Sequence, residues 1–120
     1  MEKIYTSLGL MSGTSMDGID ASIIKSNGED KYETVFDQYF EYDEEIYREL
    51  VDIRNKIKSS EDLKINSYKL NEIERKITLF HATVCKKIIS DYPSNIDLIG
   101  FHGQTIFHNA NEKISKQLGD

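Results

Sequence analysis

The chain has 120 residues, 38% hydrophobic and 30% charged, which suits one small soluble domain with a real core and excludes a disordered chain. Its net charge of −6 is broken by no basic cluster, so nucleic acid is not an expected partner. No apolar run reaches membrane-spanning length, and Met1-Glu2-Lys3 lacks a signal-peptide pattern; no membrane partner is expected. The single Cys85 forms no internal disulfide, and a reducing, cytoplasmic setting fits best.

Ile4 to Met11 is expected to form a first, central strand, because both of its faces are largely apolar. Ile19 to Lys25 alternates and predicts a second strand. Ser26-Asn27-Gly28-Glu29-Asp30 is a turn cluster. Tyr32 to Tyr42 is rich in aromatic and β-branched residues and predicts a third strand, completing an antiparallel meander.

Asp43-Glu44-Glu45 opens a helix, its acids opposing the positive end of the helix dipole. Ile46, Leu50, Ile53 and Ile57 form the apolar stripe. Ser59-Ser60-Glu61-Asp62 marks a break and a fresh start. A second, longer helix should run to about Ser90 and bury Leu70, Ile73, Ile77, Phe80, Val84 and Ile88, with Lys86-Lys87 in its last turns. His81 lies beside that stripe and reads as structural. Cys85 reads as a packed helical thiol.

Pro93 stops the helix, and Ile96 to Phe101 predicts a strand. It should end in His102-Gly103-Gln104-Thr105, a polar cluster where open α/β sheets place ligand-binding groups. Ile106 to His108 and Ile114 to Leu118 would pair as a last hairpin around Asn109-Ala110-Asn111. The expected fold class is α/β, a mixed sheet with helices on at least one side.

The stretch that carries chemistry is Leu8 to Ser22, LGLMSGTSMDGIDAS. Apolar run, glycine-flanked turn and alternating run predict a β-hairpin whose turn is richer than a hairpin needs. Gly13 and Gly18 bracket Thr14, Ser15 and Asp17. Glycine permits φ > 0 and close approach, successive backbone N–H groups can cradle an anion, and Asp17 suits Mg²⁺ or its bound water. The competing explanation is a tight turn held by Ser, Thr and Asp side chains bonded to their own backbone. The loop is not a P-loop, since no Lys-Ser or Lys-Thr follows Gly18, nor a Rossmann fingerprint, since a strand follows it. For His102 the plain alternative is a loop tie. A hydrolase site from Ser12 or Ser15 with His102 and Asp17 lacks a nucleophile elbow.

Met11 to Ala21, MSGTSMDGIDA, resembles the N-terminal signature of anhydro-N-acetylmuramic acid kinases. Gly100 to His108, GFHGQTIFH, is similar to the family's second block, and Gln117-Leu118-Gly119-Asp120 to the start of the next segment. The resemblance runs from end to end of the chain. It implies a ribonuclease-H-like mixed sheet of the actin, hexokinase and Hsp70-like ATPase superfamily, with residues 1–120 forming part of the first lobe and the second lobe absent. It implies an enzyme that uses ATP and Mg²⁺ to hydrolyse the 1,6-anhydro bond of anhydro-N-acetylmuramic acid and phosphorylate O6, in peptidoglycan recycling. By motif match, Gly13, Thr14, Ser15, Met16, Asp17, Gly18, Ile19 and Asp20 would form the ATP phosphate segment, with Asp17 toward the metal. His102, Gln104 and Thr105 would help to hold the sugar. Asn109-Ala110 departs from a basic residue and proline common in the family, and nothing here matches the motif of the family's catalytic aspartate. The chain is therefore expected to be an N-terminal fragment, inactive alone, with a second copy or a complementing C-terminal chain as partner. The alternative is a non-catalytic nucleotide- or sugar-binding module, or one half of a split kinase.

Overall fold

A computed structural model describes residues 3–13, 15–111 and 113–119. Strand β1 (Tyr5–Ser12) turns into β2 (Gly18–Ser26), and β2 into β3 (Tyr32–Glu41), each pair antiparallel. Helices α1 (Glu44–Lys56), α2 (Ser60–Ile65) and α3 (Ser67–Asp91) follow, then β4 (Leu98–Asn109) and β5 (Ile114–Leu118). The sheet order is β3-β2-β1-β4-β5, with β4 parallel to β1 and β5 antiparallel to β4. The expected meander and the strand parallel to the first are both present.

Alternation sets which face is buried. Leu8, Leu10 and Ser12 of β1 point to one side, with Ile19, Ala21 and Ile23 of β2 beside them. The helices pack on that side through Ile46, Leu50 and Ile53 of α1 and Leu70, Ile73, Ile77, Val84 and Ile88 of α3. The other face is open: Gly9 is exposed and Met11 is 59% exposed. β1 is thus central in the sheet but buried on one face only, against the expectation of two buried faces. β1 lies between an antiparallel and a parallel neighbour, and a sheet with antiparallel pairs can keep one face wet.

Helix starts follow local chemistry. The Asp43 carboxylate accepts the Ile46 N–H at 2.9 Å, capping α1. The Asp62 carboxylate accepts the Lys58 and Ser59 N–H groups at 2.8 and 3.2 Å. The expected single long helix is divided at Asn66, whose side-chain amide donates to the Asp62 carbonyl at 2.8 Å. A side chain that bonds its own turn competes with helix propagation. At the other end α3 continues to Asp91, so Lys86 and Lys87 do not occupy its last turn. Phe80 is half-buried, edge-on to Tyr42 at 5.2 Å, while His81 takes a place in the buried row.

The largest departure is β4. Its polar block does not end the strand. β4 pairs with β1 up to Ser12↔Gln104 and then carries on against β5 from Gln104↔Leu118. A second neighbour takes over where β1 runs out, so the strand has no reason to stop. The expected β5 hairpin is present, with Asn111 N–H donating to the Asn109 side chain at 3.0 Å in its turn.

The apolar row of α3 yields a direct test. Ile77 is fully buried and Leu79 is 56% exposed. Ile77→Ala should cost about 2–5 kcal/mol in denaturant unfolding, and Leu79→Ala within about 0.5 kcal/mol of nothing. Equal losses at the two positions would contradict this packing.

Candidate functional site

The β1–β2 loop stands at the end of the central strand. Met16 N–H donates to the Gly13 carbonyl at 3.3 Å, closing a turn, and Tyr42 N–H donates to the Asp17 carbonyl at 2.9 Å. Thr14 lies outside the described residues. The left-handed backbone conformation expected of a glycine falls on Met16 instead, at φ 62°, and neither Gly13 nor Gly18 is among the positive-φ glycines. Met16 is only 2% exposed, so burial of its side chain holds the conformation. A left-handed residue other than glycine costs about 1–2 kcal/mol, which a buried side chain offsets.

The two glycines serve space rather than φ. A Cβ on Gly18 would lie 2.4 Å from the Phe40 carbonyl oxygen and 2.7 Å from the Tyr39 ring, so the paired strand β3 leaves no room for one. A Cβ on Gly13 would meet nothing within 4 Å, leaving backbone open to a ligand's close approach.

Asp17 is exposed. One of its oxygens accepts the Ser15 hydroxyl at 2.7 Å and also the Tyr39 hydroxyl. Those bonds, Tyr39 first, hold its carboxyl below the usual range, so it stays ionised at neutral pH. The same partnership, after burial, raises Tyr39. No group of three His, Cys, Asp or Glu among the described residues could enclose a metal. What the loop offers a cation is one exposed carboxylate, and a Mg²⁺ bound there would keep most of its water.

Ile19 is fully buried beneath the sheet. Asp20 points to the open face, beside Asp37 of β3, which raises its carboxyl chiefly through a shared hydrogen bond. Asp20 and His102 both line a shallow depression of about 530 Å³ whose floor includes Gly9, Ser22 and Gly100. His102 is exposed, with Nδ1 against the Gly103 carbonyl at 3.1 Å. Thr105 is half-buried opposite Gln117. Gln104 faces the other way and is fully buried.

Behind the loop runs a buried polar chain whose extent the sequence does not announce. The Tyr42 hydroxyl donates to Gln104 Oε1 at 3.1 Å, and Ser12 Oγ lies 2.9 Å from Tyr42 Oη. His81 Nε2 lies 3.4 Å from Ser12 Oγ, and its Nδ1 is 2.8 Å from the Ile77 carbonyl. A carbonyl requires an N–H, so Nδ1 carries the ring proton. Burial keeps His81 neutral by lowering its pKa and pushes the Tyr42 hydroxyl up to about 12. Tyr42 spends its one hydrogen on Gln104, so Ser12 donates to Tyr42. The Nε2–Oγ contact is then the link without a hydrogen, which matches its being the longest. His81 is structural, as expected, and Ser12 is tied into this chain with His81 and not with His102, which removes the Ser12 form of the hydrolase arrangement. In the other form Ser15 gives its hydrogen to Asp17, and no bond among the described residues joins it to His102. The Cys85 thiol is raised by burial, opposite to what an activated nucleophile needs. Tyr42 was findable: counting by twos from Phe36 and Phe40 puts it on the covered face.

The family model for anhydro-N-acetylmuramic acid kinase matches residues 5–120. An anhydro-N-acetylmuramic acid kinase of Pelagibacter ubique (strain HTCC1062) is 67% identical across the whole chain, which covers 32% of that relative. Relatives of the same name from Agrobacterium fabrum (strain C58 / ATCC 33970) and Rhizobium etli (strain ATCC 51251 / DSM 11541 / JCM 21823 / NBRC 15573 / CFN 42) are 37% and 35% identical, again over the whole chain and 33% of each relative. The chain thus spans about a third of the length of the curated relatives it matches.

Two outcomes test this geometry. Gly18→Ala should destabilise by about 1–3 kcal/mol, because β3 backbone must move to admit the methyl; a thermal melt unchanged from the parent would contradict that close approach. His81 supplies a pH signature. Its folded pKa lies below the ordinary 6.5, so the unfolded chain binds the proton more readily. Its contribution to stability is complete above 6.5, falls as pH drops below that value, and levels off under the folded pKa. His81→Phe should flatten that limb of the stability–pH curve; an unchanged slope would mean that His81 titrates normally.

Proposed function

This chain belongs to the anhydro-N-acetylmuramic acid kinase family, and from that premise we propose that it is the N-terminal part of an ATP-dependent sugar kinase. In this reading the whole enzyme opens the 1,6-anhydro bond of anhydro-N-acetylmuramic acid with water and phosphorylates O6, in the cytoplasm, as a step in peptidoglycan recycling. The chain contributes part of a first, ribonuclease-H-like lobe of the actin, hexokinase and Hsp70-like superfamily. The strand order β3-β2-β1-β4, with β2 antiparallel to β1 and β3 and with β4 parallel to β1, supports that lobe, and β5 adds an antiparallel edge strand.

The observation that carries the reading is the loop from Gly13 to Gly18. Open backbone at Gly13, an exposed hydroxyl at Ser15 and an ionised Asp17 occupy one tight turn at the end of the central strand. Residues 13–20 form the phosphate segment, Thr14 included by motif match. Asp17 takes Mg²⁺ through water, since a bare carboxylate there would repel phosphate. His102, on the open depression with Asp20, and Thr105 serve the sugar side. A pairing with a second copy or with a separate C-terminal chain belongs to the same proposal, because activation of water calls for a base. Asp17, held below its usual range by two hydroxyl donors, is a poor one.

Titration of the purified chain with Mg-ATP, followed by amide chemical shifts, is the first measurement. Weak binding is expected, with shifts centred on residues 13–20 and much reduced without Mg²⁺. Shifts scattered away from the loop, or none at millimolar nucleotide, would overturn the assignment. The chain by itself should not phosphorylate the sugar; clear turnover would place a base within it. In the full-length kinase Asp17→Asn should lower kcat by about 10² with little change in Tm, as expected on losing a positioned charge. Asn still accepts both hydroxyls, so a fall in Tm with normal kcat would reduce Asp17 to a turn residue.

A further inference from the structure

We propose that Gln104 is a positioning residue of the phosphate loop: its side-chain amide, braced by Tyr42, holds the Gly13 carbonyl and so sets the turn that presents Ser15 and Asp17. The role differs from the sugar contact that sequence likeness implies for this position. Its functional consequence rests on the phosphate reading of the loop; its structural part does not.

Three observations carry it. First, Gln104 has no surface for a ligand. It is fully buried, and every hydrogen-bonding group on it is engaged. Nε2 donates to the Gly13 carbonyl at 2.7 Å and to its neighbour Thr105's carbonyl at 3.0 Å, while Oε1 accepts from Tyr42. An amide has two N–H donors, and both are spent on backbone carbonyls.

Second, β4 is built to turn this side chain inward. Opposite Leu10 to Ser12, β4 runs from Phe101 to Gln104, one residue more than β1 supplies. A bulge of one residue reverses the alternation beyond it. Without it Gln104 would share the open face with His102. The extra residue is absorbed next to Gly103, at φ 82°, where a Cβ would come within 2.9 Å of the Leu118 carbonyl oxygen. The bulge thus selects glycine twice over, by conformation and by space.

Third, the turn needs an outside anchor. Its own backbone bond, Met16 N–H to Gly13 carbonyl, is long at 3.3 Å, and Met16 is held left-handed. The bond from Gln104 to the same carbonyl is the shorter by more than half an ångström. Tyr42 braces the amide from its other side: its hydroxyl, protonated and buried, gives its hydrogen to Oε1, while the Gly13 and Thr105 carbonyls, which only accept, fix Nε2 toward themselves. The flipped amide would set oxygen against oxygen there.

The test uses this chain, with ¹⁵N and ¹³C labelling. Gln104→Glu keeps the acceptor for Tyr42 and removes both donors. Tyr42→Phe keeps the donors but removes the brace at Oε1. Ile53→Val, in the buried row of α1, serves as a control that lowers stability away from the loop. Gln104→Glu should shift the Gly13 carbonyl carbon, speed amide exchange at Met16 about tenfold and weaken Mg-ATP binding about tenfold, as for loss of one buried hydrogen bond. Tyr42→Phe should move the same signals in the same direction by less, and decides the matter if Gln104→Glu does not fold. The control should lower Tm without moving them. Unchanged Gly13 and Met16 signals in both variants would overturn the proposal. So would a lost response to anhydro-N-acetylmuramic acid with an unchanged loop, which would return Gln104 to sugar contact. If the parent chain shows no Mg-ATP response, the phosphate reading fails, while the carbonyl shift and amide exchange still decide the positioning role.

Discussion

The parallel pairing of β1 with β4, broken by one extra residue at Gly103, is the constraint on which the arrangement around the loop depends. β1 brings Ser12 and Gly13 to its end, and β4 brings Gln104 level with them. A strict register would have left Gln104 in water on the open face and Ser12 buried opposite a glycine. Buried hydroxyls without partners cost on the order of 1–3 kcal/mol each. The slip instead lets Ser12, Tyr42 and Gln104 satisfy one another.

The sheet divides its labour by face. The covered face carries stability, through Leu8, Ile19, Ile23, Leu50, Ile73 and Ile77, each fully buried. The open face carries Asp20, Ser22, Asp37 and His102 around a floor of Gly9 and Gly100. Ion pairs add little to this division. Lys76 lies 2.8 and 3.2 Å from Glu49 and Glu45, joining α3 to α1, but its side chain is 38% exposed. Exposed pairs of that kind contribute about 0–1 kcal/mol.

Much of this was legible in residue order. The hairpin of β1 and β2, the three-strand meander, the α1 stripe and most of the α3 row follow from period and turn chemistry, because each is decided by residues close in sequence. What escaped were features set by partners far along the chain. That β4 runs through His102 to Thr105 depends on β5 being there to receive it. That α3 starts afresh at Asn66 depends on a side chain choosing a carbonyl over water. The loop's turn is legible in its composition, but the residue that takes the left-handed backbone is not: glycine is the default when φ alone decides, and here the buried Met16 side chain decides. Gln104 was legible as a member of a notable block and illegible in its direction, since a one-residue bulge inverts every inference from alternation.

Met16 has a further consequence, in redox chemistry. Its thioether sits under the loop, 2% exposed, while Met11 on the open face is 59% exposed. Peroxide therefore reaches Met11 at once and Met16 only when the loop lifts. The sulfoxide formed there is larger and polar, unsuited to the apolar niche it left. An oxidised Met16 would therefore favour the open turn until its sulfoxide is reduced again.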